Sequence, residues 1–151
     1  MLEARPASSP SRRLLDLIFV LHMRSGYQPA DWDPAVEYSR LSWEFDSGQW
    51  VMATGANGEL LGWLSFYRVS PVLLEDLRHE SMADRMRGGS ANRDFTQGPC
   101  LYVSSTVIAP SAPHRTLYQL YRLAKKHNPT AISISAHLRD RRGHTAWFHR
   151  T

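Results

Sequence analysis

The sequence of 151 residues holds one cysteine, Cys100, which excludes an internal disulfide and a cysteine-based zinc site. It has no apolar run near the ~18 residues a membrane span requires. The longest such run, residues 17–21, is bounded by Asp16 and His22. Lysine is scarce as well: sixteen of the eighteen basic residues are arginine, whose planar fork suits phosphate and carboxylate better than an ammonium does. The seven histidines show no metal-ligand spacing, so no metal is expected. The first eleven residues have neither the charge nor the apolar core of a signal peptide and are rich in Ser, Pro and Ala. They read as a disordered lead (residues 1–11) before a single domain (12–151), and the cytoplasm is the expected compartment.

What is present is enough for a packed core: 42% hydrophobic residues and 11% aromatic ones in a chain of single-domain length. The net charge of +4 is unevenly spread. Residues 1–98 carry ten basic and thirteen acidic side chains, whereas residues 99–151 carry eight basic ones against Asp140 alone. An anionic partner for the C-terminal third fits this: nucleic acid, a phosphorylated cofactor or an acidic carrier protein. A solvated basic surface without a partner fits it too.

Periodicity and punctuation predict an ordered series of elements. A helix over residues 11–25 is marked by Leu14, Leu17, Ile18 and Leu21, with Gly26 at its end. A second helix follows Asp33-Pro34, Asp as N-cap and Pro in the first turn, with Val36, Tyr38, Leu41 and Phe45 as its buried side. Residues 49–54 and 60–69 are strand-like, and Asn57-Gly58 between them favours a tight hairpin. Ser70-Pro71 opens a third helix carried by Val72, Leu73, Leu77, Met82 and Met86 as far as Gly88-Gly89, followed by a loop to Pro99. Residues 100–108 form an apolar strand, a fourth helix opens at Ser111 to Pro113, and residues 131–136 alternate Ile with Ser as a further strand. Residues 139–143 make a basic turn before a last strand over 144–149. The expected fold is a mixed α/β, mostly antiparallel sheet with helices on both faces, containing a βαβ crossover from Cys100 to Ala136.

The segment Tyr102 to Pro110 (YVSSTVIAP) resembles the strand ending in Ile-Ala-Pro of the toxin-activating (haemolysin-type) lysine acyltransferases, a branch of the acetyltransferase-like superfamily. The Leu117-Tyr118 pair in the following helix, the closing Gly143 to His149, Gln49-Trp50 before the hairpin, and Trp32 upstream extend the resemblance over residues 14–149. It implies an acetyltransferase-like fold and transfer of a fatty acyl group from acyl carrier protein to lysine side chains. It also implies a histidine after the first helix and an aspartate on the Ile-Ala-Pro strand. Both positions depart: Pro29 and Thr106 stand there. The nearest histidine, His22, lies seven residues away, a shift of roughly 10 Å along a helix.

The candidate catalytic residues are therefore His22 as base and Thr106 as a positioning group. The resemblance sets the acyl donor, an acyl carrier protein or coenzyme A thioester, at the turn of Ser111, Ala112, His114 and Arg115, where free helix N–H groups meet an anion. That turn lacks the Gly-rich pyrophosphate loop of coenzyme A-dependent acetyltransferases. No resident cofactor is implied. Arg139, Arg141 and Arg142 would dock an acidic carrier or protein substrate, nucleic acid being the less favoured partner. Ser104 and Ser105 lack a Gly-x-Ser-x-Gly setting, and Cys100 reads as a small core residue. The alternative to an enzyme is an inactive relative that keeps the fold and binds a protein or nucleic acid through its basic third.

Overall fold

The computed structural model describes residues 2–5, 12–25, 33–47, 49–79, 98–139 and 145–151. In order, the elements are β1 (Leu2–Arg5), α1 (Arg12–Ser25), α2 (Pro34–Ser47), β2 (Gln49–Thr54), β3 (Leu60–Val69), α3 (Pro71–His79), β4 (Cys100–Ile108), α4 (Thr116–Lys126), β5 (Ser133–Arg139) and β6 (Thr145–Arg150). The six strands form one sheet in sequence order. Every neighbouring pair is antiparallel except β4 and β5, which are parallel because α4 carries the chain back between them.

Side-chain alternation divides the core by sheet face. On one face Val51, Ala53, Leu64, Phe66, Leu101 and Val103 pack beneath Leu120 and Ala124 of α4. Gly62 makes the close approach here: a Cβ on it would lie 3.0 Å from Ile108 Cδ1 and 3.1 Å from Leu120 Cδ1. On the other face Trp50, Met52 and Trp63 meet Leu15 and Ile18 of α1 and Leu41 and Phe45 of α2. Beside them, Tyr67, Val69, Cys100 and Tyr102 pack against Leu73, Leu74 and Leu77 of α3.

Local chemistry accounts for several element ends. Asp33 Oδ1 accepts the Ala35 N–H at 2.9 Å, and Ser70 Oγ accepts the Leu73 N–H at 3.1 Å, so both expected caps are made. Gly58 takes φ +78° in the hairpin turn, where Gly55 N–H donates to the Glu59 carbonyl at 2.8 Å. Asn128, just past α4, donates through Nδ2 to the Ala124 carbonyl at 3.0 Å and to Gln49 Oε1 at 3.2 Å.

Several expectations change. Residues 2–5, expected in the lead, form the edge strand β1 against β2. Val36 and Val72 are exposed, 63% and 75%, because each lies in a first helical turn beyond the reach of the sheet. Residues 111–115 are a turn, and α4 begins only at Thr116. The strand expected over 131–136 is β5, beginning at Ser133 and reaching Arg139, and the last strand is shifted by one residue, to Thr145–Arg150. Met82 and Met86, the loop to Gln97 and most of the basic turn lie outside the described residues. Among the described residues no helix is long and apolar enough to cross a membrane.

Candidate active site

The parallel pair is short. β4 meets β5 only from Cys100↔Ser133 to Val103↔Ala136. Beyond that point β4 runs on to Ile108, while β5 leaves with β6, paired to it as far as Arg139↔Thr145. The strands therefore fork. Where the fork opens, Ser65 of β3 pairs with Ser105 and Phe66 with Val103, so Ser104 is an extra residue, a bulge in β4. Past Val103, alternate backbone groups of β4 point into the fork instead of at β5.

On the α1–α2 face a buried polar network holds the bulge. Glu44 of α2 is 1% exposed. Its Oε2 accepts from Ser105 Oγ at 2.7 Å and from Ser65 Oγ at 3.1 Å. Ser65 has then spent its only proton, so Ser104 donates in the Ser104–Ser65 contact of 2.7 Å. Arg40 donates to Glu44 Oε1 and to Ser105 Oγ, both at 2.7 Å, and to Glu37 Oε2 at 2.7 Å. Glu37 also pairs with His22 Nε2 at 3.1 Å. The His22 contact, then Arg40, hold the Glu37 carboxyl down at about 2, against the opposing effect of burial. Burial works against the Arg40 charge, but Glu44 and Glu37 outweigh it and raise its affinity for the proton.

The other face of the fork is the one that α4 covers. Tyr121 stacks on Phe148 of β6 with ring centroids 5.9 Å apart. Burial raises the Tyr121 phenol above its usual range, and Thr106 beside it acts in the opposite direction. His22 and Thr106 are thus not brought together: His22 lies on the α2 side of the sheet and Thr106 faces α4. His22 is also poorly disposed as a base, since Nε2 is engaged by Glu37 and Nδ1 is buried without a hydrogen-bond partner.

Ser111, Ala112, His114 and Arg115 form the turn between β4 and α4, with Ser111, His114 and Arg115 exposed. Ala112 N–H donates to the Ala109 carbonyl and Thr116 N–H to the Pro113 carbonyl, both at 3.0 Å. Arg115 is the N-cap residue but gives no side-chain cap. With the Thr116 N–H spent on Pro113 and the Gln119 N–H on the Arg115 carbonyl, it is Leu117 and Tyr118 whose N–H groups offer capacity for an anion. A separate cleft of about 540 Å³ lies on the hairpin side of α4, between Thr54, Glu59, Ser111, Thr116 and Gln119. It shares Ser111 with the turn but is not the fork. Arg139 closes β5; Arg141 and Arg142 lie outside the described residues. Among the described residues no group of His, Cys, Asp and Glu could hold a metal ion.

The fold as a whole has counterparts among solved structures. The GNAT-like decarboxylase GphF in complex with isobutyryl-CoA superposes with a TM-score of 0.59 over 91% of this chain, at 15% identity. The loading GNAT-like domain of CurA from Lyngbya majuscula gives 0.59 over 91%, at 12% identity. The fold is acetyltransferase-like. A histone acetyltransferase and related acetyltransferase from Corynebacterium glutamicum agrees, at 0.57 over 93% of this chain and 78% of that one, with 15% identity. The chain spans less than two thirds of the first two proteins, 65% and 64%. No protein-family model and no curated protein matches the sequence.

The polar residues near the fork that sequence reasoning passed over are Glu37, Arg40 and Glu44 of α2, and His137, which follows Ala136 on β5. The first three fall on one stripe of α2 at helical spacing, which was a usable signal. His137 stood beyond the strand as predicted, because Ile-Ser alternation stops at Ala136.

Proposed function

We propose that this protein transfers an acyl group from a thioester to an amine at the β4–β5 fork. The observation that carries this reading is the fork itself. Beyond Val103 the edge of β4 faces an opening instead of a partner strand, with a bulge at its base, so backbone N–H groups are available to a tetrahedral oxyanion. The α4 N-terminus lies at the same end of the sheet, suited to a phosphate on the donor arm. A structure of the same fold is occupied by isobutyryl-CoA, a thioester, which supports a donor of that class.

The finer assignment rests on the resemblance to the toxin-activating acyltransferases. An acyl carrier protein or coenzyme A thioester is the donor, met by Ser111, Ala112, His114 and Arg115, and a lysine or other amine is the acceptor. Arg139, Arg141 and Arg142 form the dock for an acidic carrier, and the cytoplasm is the site of action. The second reading, a fold kept for binding alone, draws support from Pro29 and Thr106, which replace the histidine and aspartate of that family.

The test is incubation with coenzyme A and acyl carrier protein thioesters of varied chain length plus a lysine peptide. Released thiol and acyl mass gain on the peptide are the expected outcome. Binding of carrier protein with no thioester consumed from any donor would instead establish the second reading.

A further inference from the structure

His137 occupies a singular position in the fork. It is the first residue of β5 beyond Ala136, the last one paired to β4. Alternation puts it on the face shared with α2 and α3, with Tyr102 of β4 and Trp147 of β6 against it. Its Nε2 lies 2.6 Å from the carbonyl oxygen of Leu77 in α3. A carbonyl can only accept, so Nε2 carries the proton and the neutral ring presents its lone pair at Nδ1. No hydrogen bond engages Nδ1 among the described residues, and the side chain is only partly buried. His22 differs at Nδ1: its Nε2 is pinned likewise, by Glu37, but its Nδ1 is buried.

From this geometry we infer that His137 Nδ1 is the base that deprotonates the acceptor amine. The inference rests on the acyl-transfer reading of the fork and names the group which that reading leaves open. Nδ1 takes one proton from the acceptor ammonium and exposes the nitrogen lone pair. The nitrogen adds to the thioester carbonyl carbon, forming the C–N bond. Collapse of the adduct breaks the C–S bond, and the second nitrogen proton neutralises the departing thiolate. The imidazolium returns its proton to solvent.

The surroundings suit this task. The Leu77 carbonyl fixes the tautomer, as a second group must for any histidine base. The Trp147 ring, with centroid 4.9 Å away and tilted by 61°, and the Tyr102 ring, 6.5 Å away at 81°, hold the imidazole plane. Tyr102 is the titratable side chain that meets the imidazole from β4. Burial, then the nearby Glu44, raise its phenol well above the usual range, so it stays neutral and does not compete for the proton. From α3 the contact is the Leu77 carbonyl and from β6 the Trp147 indole, neither of which ionises.

The deciding variant is His137→Gln, whose amide N–H can keep the Leu77 bond while the base is lost. With an alkylamine acceptor kcat should fall about 100-fold or more. KM for the thioester should change little, and the rise of kcat with pH that one deprotonating group produces should disappear. With hydroxylamine, whose nitrogen is already neutral, the loss should shrink to a few-fold. Equal loss with both acceptors would mark a merely structural role and overturn the inference, as would wild-type rates with an unchanged pH profile. Should the Gln variant fail to fold, His137→Ala is assayed with added imidazole: recovered turnover supports the assignment, and none overturns it. A wild-type protein inert to every thioester overturns the acyl-transfer reading and this assignment with it. An active wild type beside an unaffected variant overturns this assignment alone.

Discussion

Glu37 meets three constraints at once: His22 from α1, Arg40 one turn further along α2, and partial burial. The first two outweigh the third, and its folded pKa of about 2 lies below the ordinary value of 4.5. A carboxyl depressed on folding adds stability above its unfolded pKa and loses it as pH falls toward the folded one. We expect Glu37→Gln to cost on the order of 2 kcal/mol at neutral pH. The difference from wild type should narrow between pH 4.5 and 2 in urea titrations. At this scale the sequence was partly legible. His22 stood out as the histidine nearest the expected position, but its partners did not, because α2 was read for its apolar stripe alone. Glu37, Arg40 and Glu44 recur at intervals of three and four, as an apolar stripe does. Their meaning depends on the serines that β3 and β4 set opposite them.

Elements were the most legible level, since their signals act over a few residues. The caps at Asp33 and Ser70 formed as expected, and the Asn57-Gly58 hairpin joined strands with the anticipated bounds. Helix α4 was read too long at its start. Pro113 permits a first turn, but residues 111–115 stay in turns tied to Ala109 and Pro113 carbonyls. How closely α4 lies on the sheet could not be read locally, since Gly62 carries no apolar signal. Its missing side chain makes room for Ile108, Leu120 and Thr116. Replacing Gly62 with Val should therefore overpack this seam and lower unfolding free energy by about 1–3 kcal/mol, read as a lower urea midpoint with an unchanged slope. Gly62→Ala should cost less, because the nearest atoms are flexible side-chain ends.

At the scale of the molecule, layers on both sheet faces must hold a fork open where regular pairing would have closed it. The α1–α2 layer is tied to the bulged strand through the buried Glu44 carboxylate and the Arg40 guanidinium, both bonded to Ser105. Removing the carboxylate in Glu44→Ala leaves Arg40 with Glu37 and Ser105 as partners. It strips the Ser65 and Ser105 hydroxyl protons of their buried acceptor, a loss of about 3 kcal/mol, the low end expected from breaking a buried ion pair. Chemical denaturation followed by tryptophan fluorescence measures it, since Trp50 and Trp63 are buried against the same layer. The sequence by itself determined the strand and helix order from α1 onward, the hairpin, the caps and the βαβ crossover, because propensity and hydrophobic period operate between near neighbours; the edge strand β1 was missed. Tertiary structure alone decided where β4 and β5 part, which residue bulges, and which histidine holds the first position of β5 beyond the pairing to β4. The contacts responsible join Ser105 to Glu44 across 61 residues and His137 to Leu77 across 60. At such separations no local preference selects a partner; packing of the finished sheet does. That is why the fold could be expected from residue order, while the proposed base moved from His22 on a helix to His137 at the fork.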